Sequence, residues 1–438
     1  MSATEVAVVG AGLAGSEAAW QLAKRGIPVR LYEMRPQVTT PVHRTEGFAE
    51  LVCSNSLRSD SLSSAHGLLK EEMRRLGSLV MEAAELARVP AGQALAVDRD
   101  RFSETVTGAV RSISGITLER KEVRAVPEDG LVILATGPLT SEALASSIHA
   151  FTGRDSLYFY DAVSPVVEAE SIDFSKAFRA SRYGKGGDDY VNCPMDRVEY
   201  LRFHEALSAA ARVDLHAIDR ALYFEGCLPI EVMAQRGVDT LRYGPMKPVG
   251  LTDPRTGQRP YAAVQLRQDN LAATLYNIVG FQNQLKWGEQ KRILRMVPGL
   301  EGAEFSRYGM IHRNTYVNAP TLLRPTFQTR TRDSLFLAGQ ISGVEGYTES
   351  AASGLVAGIN AARLARGLVP VVPPRTTALG SLCHYISEAD PENYQPTNIA
   401  FGLLPPLETR VRSRGDRKGA LVARALAAMD RFVEAAVS

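Results

Sequence analysis

The sequence has 438 residues, enough for two or three domains with a large core. Its 50 Lys and Arg against 48 Asp and Glu give a formal net charge of +2, so a surface for a polyanion must be a local patch. The four cysteines form no CxxC pair, which disfavours a zinc site and a disulfide framework.

No apolar run approaches the roughly 20 residues that a membrane helix needs. The first apolar run, from Glu5 to Val9, has the β-branched residues of a buried parallel strand rather than the features of a signal peptide. We therefore expect a soluble cytoplasmic protein with free thiols and without a bound metal.

A glycine-rich loop follows this first strand. Three glycines stand at G-x-G-x-x-G spacing and open a helix that runs to about Arg25: Gly10, Gly12 and Gly15. A second strand is predicted for Ile27 to Tyr32, and Glu33 closes it. An acidic residue at that place can accept a hydrogen bond from a ribose hydroxyl, while the loop and the helix N-terminus hold a pyrophosphate.

The order of these features predicts a dinucleotide site: a strand, the glycine loop, a helix, a second strand and an acidic residue at its end. A glycine-rich turn in an ordinary βαβ unit would leave Glu33 unexplained. The expected cofactor contacts from this part of the chain are Gly10, Ala11, Gly12, Leu13, Ala14, Gly15, Glu33, Met34 and Arg35.

The segment after Glu33 carries Cys53 among turn-forming Ser and Asn residues. An amphipathic helix is predicted from His66 to Val89, and weak strands near Thr117 and Val123. An apolar strand, Leu131 to Leu134, then ends in a turn that in flavoproteins with two dinucleotide sites passes beneath the flavin nucleotide: Ala135, Thr136 and Gly137.

The character of the chain changes near residue 161, where strands and helices begin to mix. We predict an α/β fold with a Rossmann-like FAD-binding domain of the two-dinucleotide flavoprotein type and an inserted α+β domain. The expected bounds are 1–165 and 305–438 for the FAD domain and 166–304 for the insertion. The second part of the FAD domain ends in a helix with a basic start.

A late strand, Leu335 to Ala338, is followed by a glycine loop and a helix from Glu349 that is rich in Ala and Gly. Such a helix can present its N-terminus to a flavin carbonyl, which favours FAD over a simple NAD fold. The expected FAD contacts here are Gly339, Gln340, Tyr347, Thr348 and Glu349.

Motifs spread over almost the whole chain resemble the folate- and FAD-dependent tRNA uracil-5-methyltransferase family, TrmFO. They include VVGAGLAGSEAA, ELVCSNSLRSD, ATGPLTS, FEGCLPIE, GPMKPVGL and AGQISGVEGYTESAASG. The related MnmG (GidA) family, which modifies wobble uridines of tRNA, shares the first motif, but has a long helical C-terminal region that this chain is too short to hold. An MnmG-like activity is the alternative.

The resemblance implies that NADH or NADPH reduces FAD and that 5,10-methylenetetrahydrofolate supplies the carbon. The product would be 5-methyluridine at position 54 in the T loop of tRNA. No obligate protein partner is expected. A plain NAD(P)H:acceptor flavin oxidoreductase and a non-catalytic nucleotide-binding protein are further alternatives, since fold does not set function.

Uracil C5 becomes nucleophilic when a thiolate adds at C6, so a cysteine beside the base is needed. On sequence alone Cys227 is more readily a buried thiol, but the resemblance implies that it is catalytic. The resemblance makes Cys53 a second catalytic thiol near the flavin, either a proton-transfer group or a protector of the reduced cofactor. Tyr347, His312 and Asn314 are candidates to line the folate pocket, with ordinary packing as the alternative.

The basic start of the last helix is a candidate tRNA phosphate contact, with Arg412, Arg414 and Lys418 as its residues. A solvated helix face is the alternative. Because no RNA-binding motif is present, we expect recognition by shape.

Overall fold

The computed structural model describes residues 4–153, 157–213, 228–409 and 411–437. In chain order its strands are β1 Val6–Val9, β2 Val29–Glu33, β3 Ser56–Ser59, β4 Arg88–Val89, β5 Ala94–Val97, β6 Ile116–Arg120, β7 Leu131–Leu134, β8 Leu157–Ala162, β9 Val166–Glu168, β10 Phe178–Arg179, β11 Tyr190–Met195, β12 Ala262–Gln268, β13 Leu275–Ile278, β14 Phe305–Arg307, β15 Ile311–Tyr316 and β16 Leu335–Leu337. Its α-helices are α1 Leu13–Lys24, α2 Ala65–Arg75, α3 Leu79–Leu86, α4 Arg99–Ser112, α5 Glu142–Thr152, α6 Arg197–Ser208, α7 Ile230–Gln235, α8 Thr240–Tyr243, α9 Trp287–Leu294, α10 Ala319–Leu322, α11 Tyr347–Ala365, α12 Ala378–Glu388 and α13 Arg414–Val437.

A parallel five-stranded sheet forms the centre of the molecule, with the strand order β16-β7-β1-β2-β6. In its middle strand Val8 pairs with Leu31 on one side and with Ile133 on the other. All three side chains are fully buried, as parallel strands covered by helices require. The α/β, Rossmann-like fold predicted from the sequence is confirmed.

Helices α1 and α11 pack closely, because α11 carries glycines where it meets α1. A Cβ at Gly354 would lie 2.1 Å from the carbonyl oxygen of Ala14, and one at Gly358 would lie 2.8 Å from that of Ala18. The small residues of α11 therefore bring two helices together. This contact places the N-termini of both helices at the same end of the central sheet.

The chain between the two parts of this fold builds a six-stranded sheet with the order β10-β11-β12-β13-β9-β14, antiparallel at every pair. This sheet has a hydrophobic core of its own, which includes the buried rings of Tyr200, Phe203 and Tyr276. The strands that lead into and out of this region, β8 and β15, pair antiparallel with each other. A separate sheet has three strands in the order β3-β5-β4.

Some predicted elements differ in the structure. The helix predicted from His66 to Val89 is wrong as a single element, because Gly77 has φ +70° and ends α2, and Ser78 caps a new helix, α3. The strand predicted near Val123 is absent from the described residues. Gly77 adopts a conformation that glycine tolerates, which explains the break.

No helix in the described ranges combines the length and apolarity needed to cross a bilayer.

Candidate active site

A cleft with about 1070 Å³ of empty space, including space open to solvent, lies where β1, β7 and β16 end and α1 and α11 begin. It brings together most of the predicted cofactor residues: Gly10, Gly12, Leu13, Ala14, Glu33, Met34, Arg35, Ala135, Thr136, Gly137, Gly339, Gln340 and Tyr347. Ligands bind at this edge in open α/β sheets, because the loops after the parallel strands meet there.

The three glycines of the first loop differ in what surrounds them. A Cβ at Gly10 would lie 2.6 Å from the carbonyl oxygen of Ala135, and one at Gly15 only 1.7 Å from that of Gly10. Nothing lies within 4 Å of a Cβ at Gly12, which faces the cleft. Gly10 and Gly15 are therefore needed by the fold itself, whereas the open space at Gly12 fits a ligand that approaches the backbone.

The start of α1 is open to an anion. Its N-cap is Gly12, no side chain in the described structure caps it there, and no acidic residue occupies its first turn. The backbone N–H groups and the positive end of the helix dipole are thus left to a ligand in the cleft. These features fit a dinucleotide pyrophosphate.

Glu33 ends β2 at the edge of the cleft. Its carboxylate accepts hydrogen bonds from the Ala11 N–H, at 3.0 Å, and from the Arg35 N–H and Nε, both at 3.0 Å. Burial acts to raise the pKa of Glu33, but the bonds from Arg35 and Ala11 outweigh it and hold that pKa below its usual value. Glu33 is therefore an ionised acceptor beside the loop.

Four of the predicted residues lie behind the cleft wall or away from it: Ala11, Gly15, Thr348 and Glu349. Glu349 is fully enclosed, accepts a hydrogen bond from the Ile399 N–H at 3.0 Å and lies 3.3 Å from His66 Nδ1. Thr348 donates to the carbonyl oxygen of Leu57. These two residues anchor the start of α11, and the side chains exposed to the cleft there are those of Tyr347 and Ser350.

The ring of Tyr347 lines the cleft, and its hydroxyl ties α11 to the loop that carries Cys53. The hydroxyl oxygen accepts hydrogen bonds from the N–H groups of Cys53, at 2.7 Å, and of Ser54, at 3.1 Å. Burial raises the pKa of Tyr347, so the phenol stays protonated at neutral pH. The ring is consequently held in one place.

Cys53 is half-buried, and its thiol donates to the carbonyl oxygen of Ala162 at 3.4 Å. Two arginines with little exposure, Arg99 and Arg267, bind to its loop. Arg99 binds the Leu51 carbonyl oxygen at 2.7 Å and pairs with Asp269 at 3.1 Å. Arg267 binds Asn55 Oδ1 at 2.9 Å.

Both arginines act electrostatically on Cys53. Sequence reasoning missed them, because Arg267 and Asp269 lie more than 160 positions from Arg99 and Cys53 along the chain. No local motif marks either pairing.

The remaining candidates fall in different places. Cys227 lies outside the described residues, and so does the side chain of His312, whose backbone belongs to β15. Asn314 is fully buried, and neither its amide nitrogen nor its oxygen has a hydrogen-bond partner in the structure as described. It does not line the cleft.

At the C-terminal end, Arg412 is exposed and Arg414 begins α13, with its side chain outside the described set. Lys418 is half-buried. Its Nζ donates to the Ser63 carbonyl oxygen at 3.2 Å and lies 5.6 Å from the centre of the Phe401 ring. Part of the predicted basic surface is thus engaged within the protein.

The chain matches the family model "Glucose inhibited division protein A" over residues 5–368. It is 61% identical to a protein of Pelotomaculum thermopropionicum over 99% of both chains, and 62% identical to one of Desulforudis audaxviator over 96% of both. Both are named methylenetetrahydrofolate–tRNA-(uracil-5-)-methyltransferase TrmFO. Among solved structures, GidA of Aquifex aeolicus superposes with a TM-score of 0.72 at 18% identity, covering 98% of this chain and 73% of that chain.

The GidA likeness shows that the chain shares the fold of that protein. The identities of about 60% over nearly full length place the chain more narrowly. The chain belongs to the GidA family and, within it, to the TrmFO family.

Proposed function

We propose that the protein is a methylenetetrahydrofolate–tRNA-(uracil-5-)-methyltransferase that forms 5-methyluridine at position 54 of the tRNA T loop. The observation that carries this proposal is the 61% identity, over 99% of both chains, to a relative of that name. The domain division that we propose with it is a FAD domain, 1–165 and 305–438, and an inserted α+β domain, 166–304.

FAD is the proposed resident cofactor. Its pyrophosphate would lie over Gly12 and the start of α1, where the fold leaves space and the helix leaves its N–H groups uncapped. Glu33 would accept from the ribose hydroxyls. When bound and reduced, FAD would supply the electrons of the reaction, and NADH or NADPH is their proposed source.

Uridine C5 gains a one-carbon unit from 5,10-methylenetetrahydrofolate and loses its proton. A hydride equivalent, two electrons and one proton, reduces that unit to a methyl group. Tetrahydrofolate leaves, and each of the two folate nitrogens that released the carbon takes up a proton. Cys227 is proposed as the thiolate that adds at uracil C6 and departs when the C5 proton is removed. The folate is proposed to lie near Tyr347, His312 and Asn314.

Cys53 is proposed to transfer a proton close to the flavin. Its loop is fixed by the Tyr347 hydroxyl, and Arg99 and Arg267 bind to that loop and bring positive charge to it. A thiolate there can accept a proton during methyl transfer. The two arginines would then act as positioning residues, because they act through Cys53 and its loop.

The test is incubation of undermodified tRNA with FAD-loaded protein, NADPH and 5,10-methylenetetrahydrofolate labelled in the methylene carbon. We expect label in 5-methyluridine, at position 54 after nuclease mapping, and none when the folate is omitted. Label at a wobble uridine would favour an MnmG-like activity instead. Oxidation of NADPH with no labelled nucleoside would contradict the proposal.

A further inference from the structure

A second cleft adjoins the flavin cleft and opens between the FAD domain and the inserted sheet. Its empty space is about 1860 Å³, including space open to solvent, and its walls come from α4, residues 44–51, β9, β14 and the end of β12. Glu50 lines both clefts. The two clefts therefore adjoin at Glu50.

Arg307 projects into this second cleft from β14. The pairing of β14 with β9 is irregular between Phe305 and Arg307, and such bulges re-aim a side chain. The guanidinium is half-buried, and its Nη2 donates to the Val42 carbonyl oxygen at 3.3 Å. Within the described ranges, no carboxylate lies at ion-pair distance from it.

Positive charge accumulates around Arg307. Arg44 donates from Nη1 to the carbonyl oxygen of Ser306, the neighbour of Arg307, and Arg99 lines the same cleft. Burial together with the charges of Arg99 and Arg44 lowers the pKa of Arg307 to about 10. A bound anion between these side chains would relieve the repulsion.

The carboxylates deep in this cleft already have partners. Asp269 pairs with Arg99, and Glu50 pairs with Arg35 at 3.1 Å. Asp98 accepts from two backbone N–H groups, those of Arg101 and Leu271. The acidic residues Glu46, Asp100 and Glu104 are exposed at the rim. Arg44 and Arg307 are thus left to bind an anion from outside the chain.

We propose that Arg44 and Arg307 bind the anionic tail of the cosubstrate whose reactive ring lies in the flavin cleft. This inference rests on the proposed function, which brings two such cosubstrates to the flavin. The folate tail ends in glutamate carboxylates, and NAD(P)H carries phosphates. Either group fits the planar donor fork of an arginine.

The test measures the binding of each ligand to FAD-loaded protein. The change in flavin fluorescence is the signal. The ligands are tetrahydrofolate, tetrahydropteroate, which lacks the glutamate, and NADPH. The variants are Arg307→Gln and Arg44→Gln. Arg197→Gln is the matched control, since Arg197 is an exposed arginine in the first turn of α6.

Each cleft variant should weaken the tailed ligand about 10- to 100-fold, the range for removal of one charge-assisted hydrogen bond. If the folate tail is the occupant, the affinity for tetrahydrofolate falls to that for tetrahydropteroate and NADPH binding is unchanged. If the dinucleotide is the occupant, NADPH binding falls and both folates bind as before. Arg197→Gln should alter neither.

If both variants bind all three ligands with wild-type affinity, the proposal is overturned. Loss of tRNA binding alone would also overturn it, because the site would then bind RNA phosphate. An equal loss for tetrahydrofolate and tetrahydropteroate with a lower Tm would show a structural arginine instead.

The binding readout separates this inference from the proposed function. Failure of methyl transfer with arginine-dependent binding intact would contradict the methyltransferase and leave the anion site standing. If both variants transfer the methyl group with wild-type KM values for folate and NADPH, the anion site is contradicted and the methyltransferase assignment stands.

Discussion

Three glycines that look alike in the first motif serve different purposes once the fold surrounds them. Gly10 and Gly15 lie against backbone atoms, whereas Gly12 borders open space in the cleft. The fold therefore requires the first two, and the ligand requires the third. A substitution at Gly12 separates cofactor binding from stability, which is seldom possible inside a glycine-rich loop.

Gly12→Val is expected to keep the fold and lose FAD, because the new side chain fills the space of the pyrophosphate. Flavin absorbance of the purified protein should fall at least about tenfold, with a Tm shift corresponding to under about 1 kcal/mol. Gly15→Ala, whose Cβ would lie 1.7 Å from the Gly10 carbonyl oxygen, should lose both FAD and stability. Wild-type flavin content in folded Gly12→Val would show that this loop does not hold the cofactor.

The assignment of Cys227 as nucleophile predicts a trapped complex. With 5-fluorouridine at position 54, the thiolate adds at C6 and the carbon is transferred, but fluorine cannot leave as a proton does. Wild-type protein with folate and reductant should form a covalent protein–RNA complex, mapped by peptide sequencing to Cys227. Cys227→Ala should bind FAD and tRNA and form none. A link that maps to Cys53 would exchange the two roles.

Among the secondary-structure elements, α2 and α12 meet through a buried carboxylate. Glu72 of α2 accepts hydrogen bonds from the N–H groups of Ala378 and Leu379, each at 2.8 Å, at the start of α12. Burial raises the pKa of Glu72 to about 8, against the two bonds that lower it. The contact caps α12, but its carboxylate has no exposure to water.

The raised pKa makes stability depend on pH. The folded state holds the Glu72 proton between about pH 4.5 and 8, where the unfolded chain releases it. The free energy of unfolding of the wild type, relative to Glu72→Gln, should therefore be highest below pH 4.5 and fall as pH rises to 8, by up to about 5 kcal/mol. Urea unfolding at pH 5 and pH 8 measures this difference. Parallel pH curves for the two proteins would show that Glu72 stays ionised when folded.

At the scale of the whole molecule, buried polar contacts join the inserted sheet to the FAD domain. Asn55 Nδ2 donates to the Gln268 carbonyl oxygen at 2.9 Å, and Arg99 pairs with Asp269. Tyr190 donates to the Ala91 carbonyl oxygen at 3.0 Å. The loop of Cys53 is therefore positioned by both parts of the molecule.

The C-terminal basic residues predict a salt-dependent interaction with tRNA. Replacement of Arg412, Arg414 and Lys418 by Gln should lower the slope of log affinity against log salt concentration by about 1 to 3, at about 0.7–0.9 for each phosphate that the protein no longer neutralises. The lower end is expected if Lys418 stays bound to Ser63. Filter binding at several salt concentrations measures the slope, and flavin reduction by NADPH should not change. A slope equal to that of the wild type would place the RNA surface elsewhere.

Much of the cofactor cleft was predictable, because its determinants are close together in the chain. Strand, glycine loop, helix and Glu33 occupy one short segment, and local spacing sets where each of them lies on a βαβ unit. The same holds for the turn at residues 135–137 and for the loop at Gly339. Family membership was predictable as well, because each motif that carries the resemblance is a short segment that can be read locally.

Only the tertiary structure decided which side chains face the ligand and which charges meet. Thr348 and Glu349 stand beside Tyr347 in sequence, yet they turn inward because α11 packs against α1 and α2. Arg99, Arg267 and Arg307 come from distant segments, and only the docking of the inserted sheet on the FAD domain gathers them around Cys53 and the second cleft. Local spacing carries no information on such encounters, because burial and charge at a site arise from packing between segments far apart in the chain.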